Sequence, residues 1–214
     1  MSDIMKSICA VEGVEAAGVK EGKYGLALIR ASGTGAAVFT KNRVRAPVVN
    51  LMAERTLRGK LDGVIVNSGC ANAYTGKRGF EDAKTMAQIG AEALGIDEMN
   101  CGVASTGVIG RYLDLDLIRR QTAAVAPNLA HSSAAEDAAA RAIMTTDTVP
   151  KHALVRADGF TVAGICKGSG MIAPNMGTML SFVYTDADVP ADTLRECLRT
   201  AVNRSLNRVV VDGD

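Results

Sequence analysis

The sequence predicts an α/β protein in which mixed sheets pack against helices. Three observations point there. Short β-branched runs bounded by Gly, Pro or Asn alternate with longer stretches whose apolar residues recur at helical spacing. Glycine is abundant, at 22 of 214 residues, and most of it gathers in loops that follow the strand-like runs. Apolar residues make up 48% and charged residues 22%, the ordinary mix of a globular chain.

Strands are expected at Tyr24–Ile29, Ala36–Thr40, Val48–Leu51, Val64–Asn67 and Val103–Ser105. Ala83, Met86, Ala87, Gly90, Ala93 and Leu94 then recur at helical spacing, and Gly95 supplies a C-terminal stop. A second helix is expected from Leu115 to Val125 with Asp114 as its cap. A third follows Ser133, where Ser133-x-x-Glu136 reads as a capping box with an inward stripe of Ala135, Ala138, Ala139, Ala142 and Ile143. Such Ala-rich helices predict close approach to a sheet. Ala153–Arg156 and Phe160–Cys166, separated by Ala157-Asp158-Gly159, read as a hairpin. Thr178–Thr185 is another strand. Pro190 opens a last helix with Leu194, Cys197, Leu198 and Ala201 inward, and Arg208–Val211 reads as a closing strand.

Composition excludes several function classes. Lys+Arg 24 against Asp+Glu 23 leaves a charge of +1, which offers no electrostatic attraction to nucleic acid or an anionic membrane. Aromatic residues are 4% and Trp is absent, so base-stacking platforms are not expected. The cysteines Cys9, Cys70, Cys101, Cys166 and Cys197 are odd in number and form no CxxC pair. His131 and His152 lie far apart. Neither a disulfide framework nor a metal site is expected, nor any bound cofactor. Without a basic segment followed by an apolar core at the N-terminus, the expected compartment is the cytoplasm.

Three glycine-containing loops carry the candidate chemistry. They are Asn67-Ser68-Gly69-Cys70-Ala71-Asn72-Ala73-Tyr74-Thr75-Gly76, Ala104-Ser105-Thr106-Gly107-Val108-Ile109-Gly110, and Lys167-Gly168-Ser169-Gly170-Met171-Ile172-Ala173-Pro174-Asn175-Met176-Gly177-Thr178. Any one of them alone reads as a turn, and none has the GxxxxGK[ST] or GxGxxG phosphate-binding spacing. The Gly177–Thr178 bond stands at a loop-to-strand junction. There a threonine hydroxyl can attack the preceding carbonyl, and hydrolysis of the resulting ester frees an N-terminal threonine. Its α-amine, with a reference pKa of about 7.7–8.0, can serve as base to its own hydroxyl.

The Lys167–Met176 run followed by Thr178-Met179-Leu180 closely resembles the signature of the ornithine acetyltransferase (glutamate N-acetyltransferase) family of arginine biosynthesis. So do Asn67-Ser68-Gly69 with Ala71-Asn72-Ala73, Ser105–Gly110, Ile143-Met144-Thr145-Thr146-Asp147-Thr148 and the closing Val211-Asp212-Gly213-Asp214. The resemblance runs in order from about Val14 to the last residue. It implies the layered sandwich of self-cleaving acetyltransferases and aminopeptidases. It also implies cleavage between Gly177 and Thr178, so that residues 1–177 form an α chain and 178–214 open a β chain. Thr178 would be the nucleophile, Thr106 and Gly107 the oxyanion hole, and Thr145, Lys167 and Thr178 the substrate-binding residues.

The implied reaction moves the acetyl group of N-acetylornithine through Thr178 to glutamate, with acetyl-CoA as an added donor in some members. The implied assembly is a heterotetramer of two α and two β chains. Two alternatives stand beside this reading: an amidohydrolase or aminopeptidase of the same architecture, and a truncated non-catalytic homologue. Two positions depart from the family pattern, Gly177 where Ala is common and Cys70 where Asn is usual. The family's precursors are also considerably longer. Thr106 is expected at a loop tip, where its hydroxyl would matter to rate far more than to stability.

Overall fold

The computed structural model describes residues 6–172 and 179–212. Its framework is a four-stranded sheet in the order β1-β2-β3-β4, formed by Glu15–Glu21, Tyr24–Thr34, Lys60–Cys70 and Cys101–Val108. β1, β2 and β3 pair antiparallel, whereas β4 runs parallel to β3. A parallel neighbour requires a crossover, and the helix α2 (Gly76–Leu94) supplies it. A second sheet, antiparallel in the order β5-β6-β7, comprises Lys151–Ala157, Phe160–Lys167 and Leu180–Thr185.

Alternation along the strands divides the core into two layers. Leu26, Leu28, Ile65 and Val103 face α1 (Pro47–Arg55), α2 and α3 (Leu115–Val125), meeting Met52, Met86, Ala87 and Ile118. Ala27, Ile29, Val66 and Ala104 point the other way, toward α4 (Ser133–Ile143) and Ala163 and Ile165 of β6. The result is a layered sandwich: helices, sheet, then α4 with the second sheet. Small residues set the closeness of α4. A Cβ on Gly18 would stand 2.5 Å from the Ala138 carbonyl oxygen, and one on Gly25 only 2.1 Å from that of Ala142.

The expected helices at Leu115–Val125 and before Gly95 form, with Asp114 accepting from the Leu117 N–H and Gly95 left-handed at the C-cap. The hairpin across Asp158-Gly159 forms too. Other expectations are corrected. Val48–Leu51 is helical, lying in α1 behind Pro47, because Val48, Leu51 and Met52 share one buried helical face. Ala36–Thr40 pairs with no strand; Phe39 packs against the core, so burial without pairing produced its β-like pattern. The cap of α4 is Ser132, one residue earlier than expected, and accepts from the Ala135 N–H. The inward face of α4 is rotated to match: Ala139, Ala142 and Ile143 are buried, but Glu136 and Ala140 replace Ala135 and Ala138. Arg208–Val211 is a turn followed by exposed valines, with one bond from the Val211 N–H to the Ile172 carbonyl. In α5 (Ala191–Arg204), Cys197 and Ala201 are exposed and Val202 is the buried residue. Strand β1 was not expected, since Ala16, Ala17 and Gly18 have little β preference; pairing along β2 forms it.

Candidate functional site

Strands β4 and β6 end beside each other, and each delivers one motif residue. Thr106, fully buried, is the antepenultimate residue of β4, and Lys167, only 2% exposed, closes β6. The Lys167 Nζ donates to Thr106 Oγ1 at 2.9 Å. An ammonium has donors only, so the threonine oxygen accepts and its own hydrogen stays available to donate elsewhere. The pair is therefore a buried, polarised hydroxyl donor. Thr106 is not at a loop tip.

Gly107 follows with φ of +133° and packs directly on the neighbouring strand. A Cβ there would stand 2.4 Å from the carbonyl carbon of Gly69 and 2.6 Å from the Cys70 nitrogen. Glycine is required on both counts. The first loop is thus the wall behind the second. Its Ala71 N–H donates to the Val108 carbonyl, and the Gly110 N–H donates to that of Ala73. Within it, Asn72 donates to the Gly79 carbonyl and accepts from Thr75, which fixes the turn into α2. Cys70 is buried with its sulfur against the Arg111 and Tyr112 carbonyls, and burial pushes its thiol pKa up, away from reactivity.

The fourth motif completes the site. Thr145 is exposed just beyond α4, and its N–H donates to Asp147 at 3.4 Å. The Asp147 carboxylate is buried, accepts from the Gly168 N–H at 2.7 Å and pairs with Lys151. Burial opposes ionisation, yet these donors together hold Asp147 below the usual carboxylate range. Thr146 Oγ1 accepts from the Gly170 N–H at 3.2 Å, so the 145–147 segment lies along the start of the third loop. At that loop's far end Met179 packs over Gly168. Burial also drives the Lys167 ammonium pKa below its ordinary value, with Asp147 pulling it back up.

Thr106, Gly107 and Lys167 are thus brought together, and Thr145 is tied through Asp147 to the residue after Lys167. Gly177 and Thr178 lie outside the described residues. Asp147 carried no assigned role in the sequence reading, although it stands inside a quoted motif; a charged residue flanked by two threonines was the available signal. Among the described residues no cluster of His, Cys, Asp and Glu could hold a metal ion, and no helix is long and apolar enough to cross a membrane.

Fold and site define a layered α/β protein whose two sheets converge on a buried lysine–threonine pair. The chain belongs to the ArgJ family, whose pattern matches residues 11–214. It is 53% identical to the glutamate N-acetyltransferase of Methanosarcina mazei, over 100% of this chain and 55% of that protein. It is 46% identical to the arginine biosynthesis bifunctional protein ArgJ of Archaeoglobus fulgidus, over 97% of this chain and 54% of the relative. The chain therefore spans about half the length of these curated relatives. Among solved structures, ornithine acetyltransferase of Mycobacterium tuberculosis complexed with ornithine matches with a TM-score of 0.76 and 37% identity, covering 83% of this chain and 97% of that one. ArgJ of Bacillus halodurans matches with a TM-score of 0.73 and 39% identity, covering 81% and 94%.

Proposed function

We propose that this chain carries the N-terminal part of a self-cleaving threonine acetyltransferase that makes N-acetylglutamate for arginine biosynthesis. The observation that carries the reading is the 2.9 Å contact between Lys167 and Thr106, two buried motif residues 61 positions apart. Family membership and the names of the relatives support it. Residues 1–177 form the first chain after cleavage, and Thr178 opens the second as its nucleophile.

Each step then has a group to perform it. The α-amine of Thr178 takes the proton of its own hydroxyl, whose oxygen attacks the acetyl carbonyl of N-acetylornithine. The Thr106 hydroxyl, held by Lys167, and the Gly107 backbone N–H face the charge that develops on the carbonyl oxygen. Ornithine leaves with a proton, and the glutamate α-amine attacks the acetyl ester to regenerate Thr178. Thr145 and Lys167 hold the amino-acid substrate. The mature enzyme is a paired assembly of two chains of each kind, in the cytoplasm, and acetyl-CoA is a candidate second donor.

The test is a full-length preparation analysed by intact mass and N-terminal sequencing, then incubated with N-acetylornithine and glutamate. A chain beginning Thr-Met-Leu-Ser, with acetyl transfer lost in Thr178→Ala, supports the reading. An intact chain without transfer overturns it, and acetate release without glutamate assigns a hydrolase instead.

A further inference from the structure

The buried carboxylate of Asp147 joins the segments that carry Thr145 and Lys167. Its two oxygens accept from the N–H of Thr145 on one side and of Gly168 on the other. The first lies in the bend that follows α4; the second directly follows Lys167. Three lysines surround it. Lys151 pairs with it, while Lys20 and Lys167 both feel its charge.

Lys20 secures the same segment from the first sheet. Its Nζ donates to Ser68 Oγ at 2.8 Å, to the Met144 carbonyl at 2.6 Å and to the Ala142 carbonyl at 3.4 Å. The two carbonyls lie at the C-terminal end of α4, where a cation also meets the negative end of the helix dipole. Ser68 is the register partner of Thr106 and itself donates to the Ala142 carbonyl at 2.7 Å. Met144, just before Thr145, is therefore pinned from β1 and Ala142 from β1 and β3, and the residue after Lys167 is pinned by Asp147.

We propose that Asp147 is a positioning residue that clamps the Thr145 segment to the end of β6, with Lys20 as its counterpart on the first sheet, so that Lys167 is held over Thr106. This rests on the reading of Lys167 and Thr145 as substrate-binding residues. The charged groups facing Lys167 are Asp147, Cys166, Lys151 and Lys20. Burial disfavours its protonated form most; Asp147 and Cys166 favour that form, and Lys151 and Lys20 disfavour it. The two clamps therefore act on Lys167 with opposite signs, which a purely structural role would not do.

The experiment uses the full-length protein, with the Lys167 side chain titrated by nitrogen NMR of labelled lysine and assigned by its loss in Lys167→Arg. Asp147→Asn keeps an acceptor for the Gly168 N–H but removes the charge, so the Lys167 midpoint moves to lower pH. Lys20→Met removes a like charge and moves it to higher pH. In acetyl-transfer assays the alkaline limb of kcat/KM for N-acetylornithine shifts in the same opposed directions, with KM changing more than kcat. Unmoved midpoints, or shifts of one sign in both variants, overturn the proposal. Should Asp147→Asn fail to fold, Lys20→Met decides alone, because an unmoved or acid-shifted midpoint there overturns it. A wild type that titrates as described but transfers no acetyl group counts against the acetyltransferase reading and leaves the clamp standing.

Discussion

Thr106 has two duties that one substitution can separate. Its side chain is wholly buried and accepts from Lys167, so removing the hydroxyl takes a buried acceptor away from that ammonium. Thr106→Val, which keeps the shape, is expected to cost about 1–3 kcal/mol of stability and to lower acetyl transfer on the order of 10²–10³-fold. Thr106→Ser restores the acceptor and most of the rate. Denaturant melts with kcat on the same samples check both numbers, and normal turnover in Thr106→Val removes the residue from the oxyanion hole. Gly107→Ala is the poorer probe, because its Cβ meets main-chain atoms of Gly69 and Cys70 that cannot swing away. The motif residues were legible in sequence because each sits in a dense local pattern. The roles of Asp147 and Lys20 were not, because the fold alone brings Gly168 to Asp147 and Ser68, Ala142 and Met144 to Lys20.

At the scale of elements, the contact between α4 and the first sheet is made by absent side chains. Gly18 and Gly25 let the helix backbone approach the strands, and Ala residues complete the seam. Gly18→Ala drives a methyl group into the Ala138–Ala139 backbone and is expected to destabilise by about 1–3 kcal/mol. Gly33→Ala, with nothing within 4 Å of its Cβ, is expected to be neutral or to stabilise by up to about 1 kcal/mol. Chemical denaturation of the two variants side by side checks the contrast; equal midpoints refute the close-packing account. The seam was legible only as composition, in the runs of Ala. Boundaries with their own cap residues, such as Asp114 and Gly95, could be read locally, whereas Val48–Leu51 could not. That run is short, and its β-branched start conceals the i, i+3, i+4 spacing that burial of Val48, Leu51 and Met52 reveals.

At the scale of the whole molecule, the proposed cleavage point and the sheet topology bear on each other. β7 begins two residues beyond Thr178 and pairs along its length with β6, from Lys167↔Leu180 to Val162↔Thr185. Leu180, Phe182 and Tyr184 pack on the same core layer as Ala163, Ile165 and α4. The first strand of the new chain is thus stitched to the last strand of the old one before any bond is cut. Severing Gly177–Thr178 would cut one peptide bond outside the β6–β7 ladder and leave that ladder in place. Cleavage is therefore expected to give two chains on a denaturing gel and a single peak in gel filtration, with separation only where the core itself unfolds. Phe182→Ala, which removes a side chain packed on that core, should lower the denaturant concentration at which the chains part, by an amount matching about 3–5 kcal/mol at full burial and less here. Chains that separate in native buffer directly after cleavage would show that the β6–β7 ladder does not hold the two parts together.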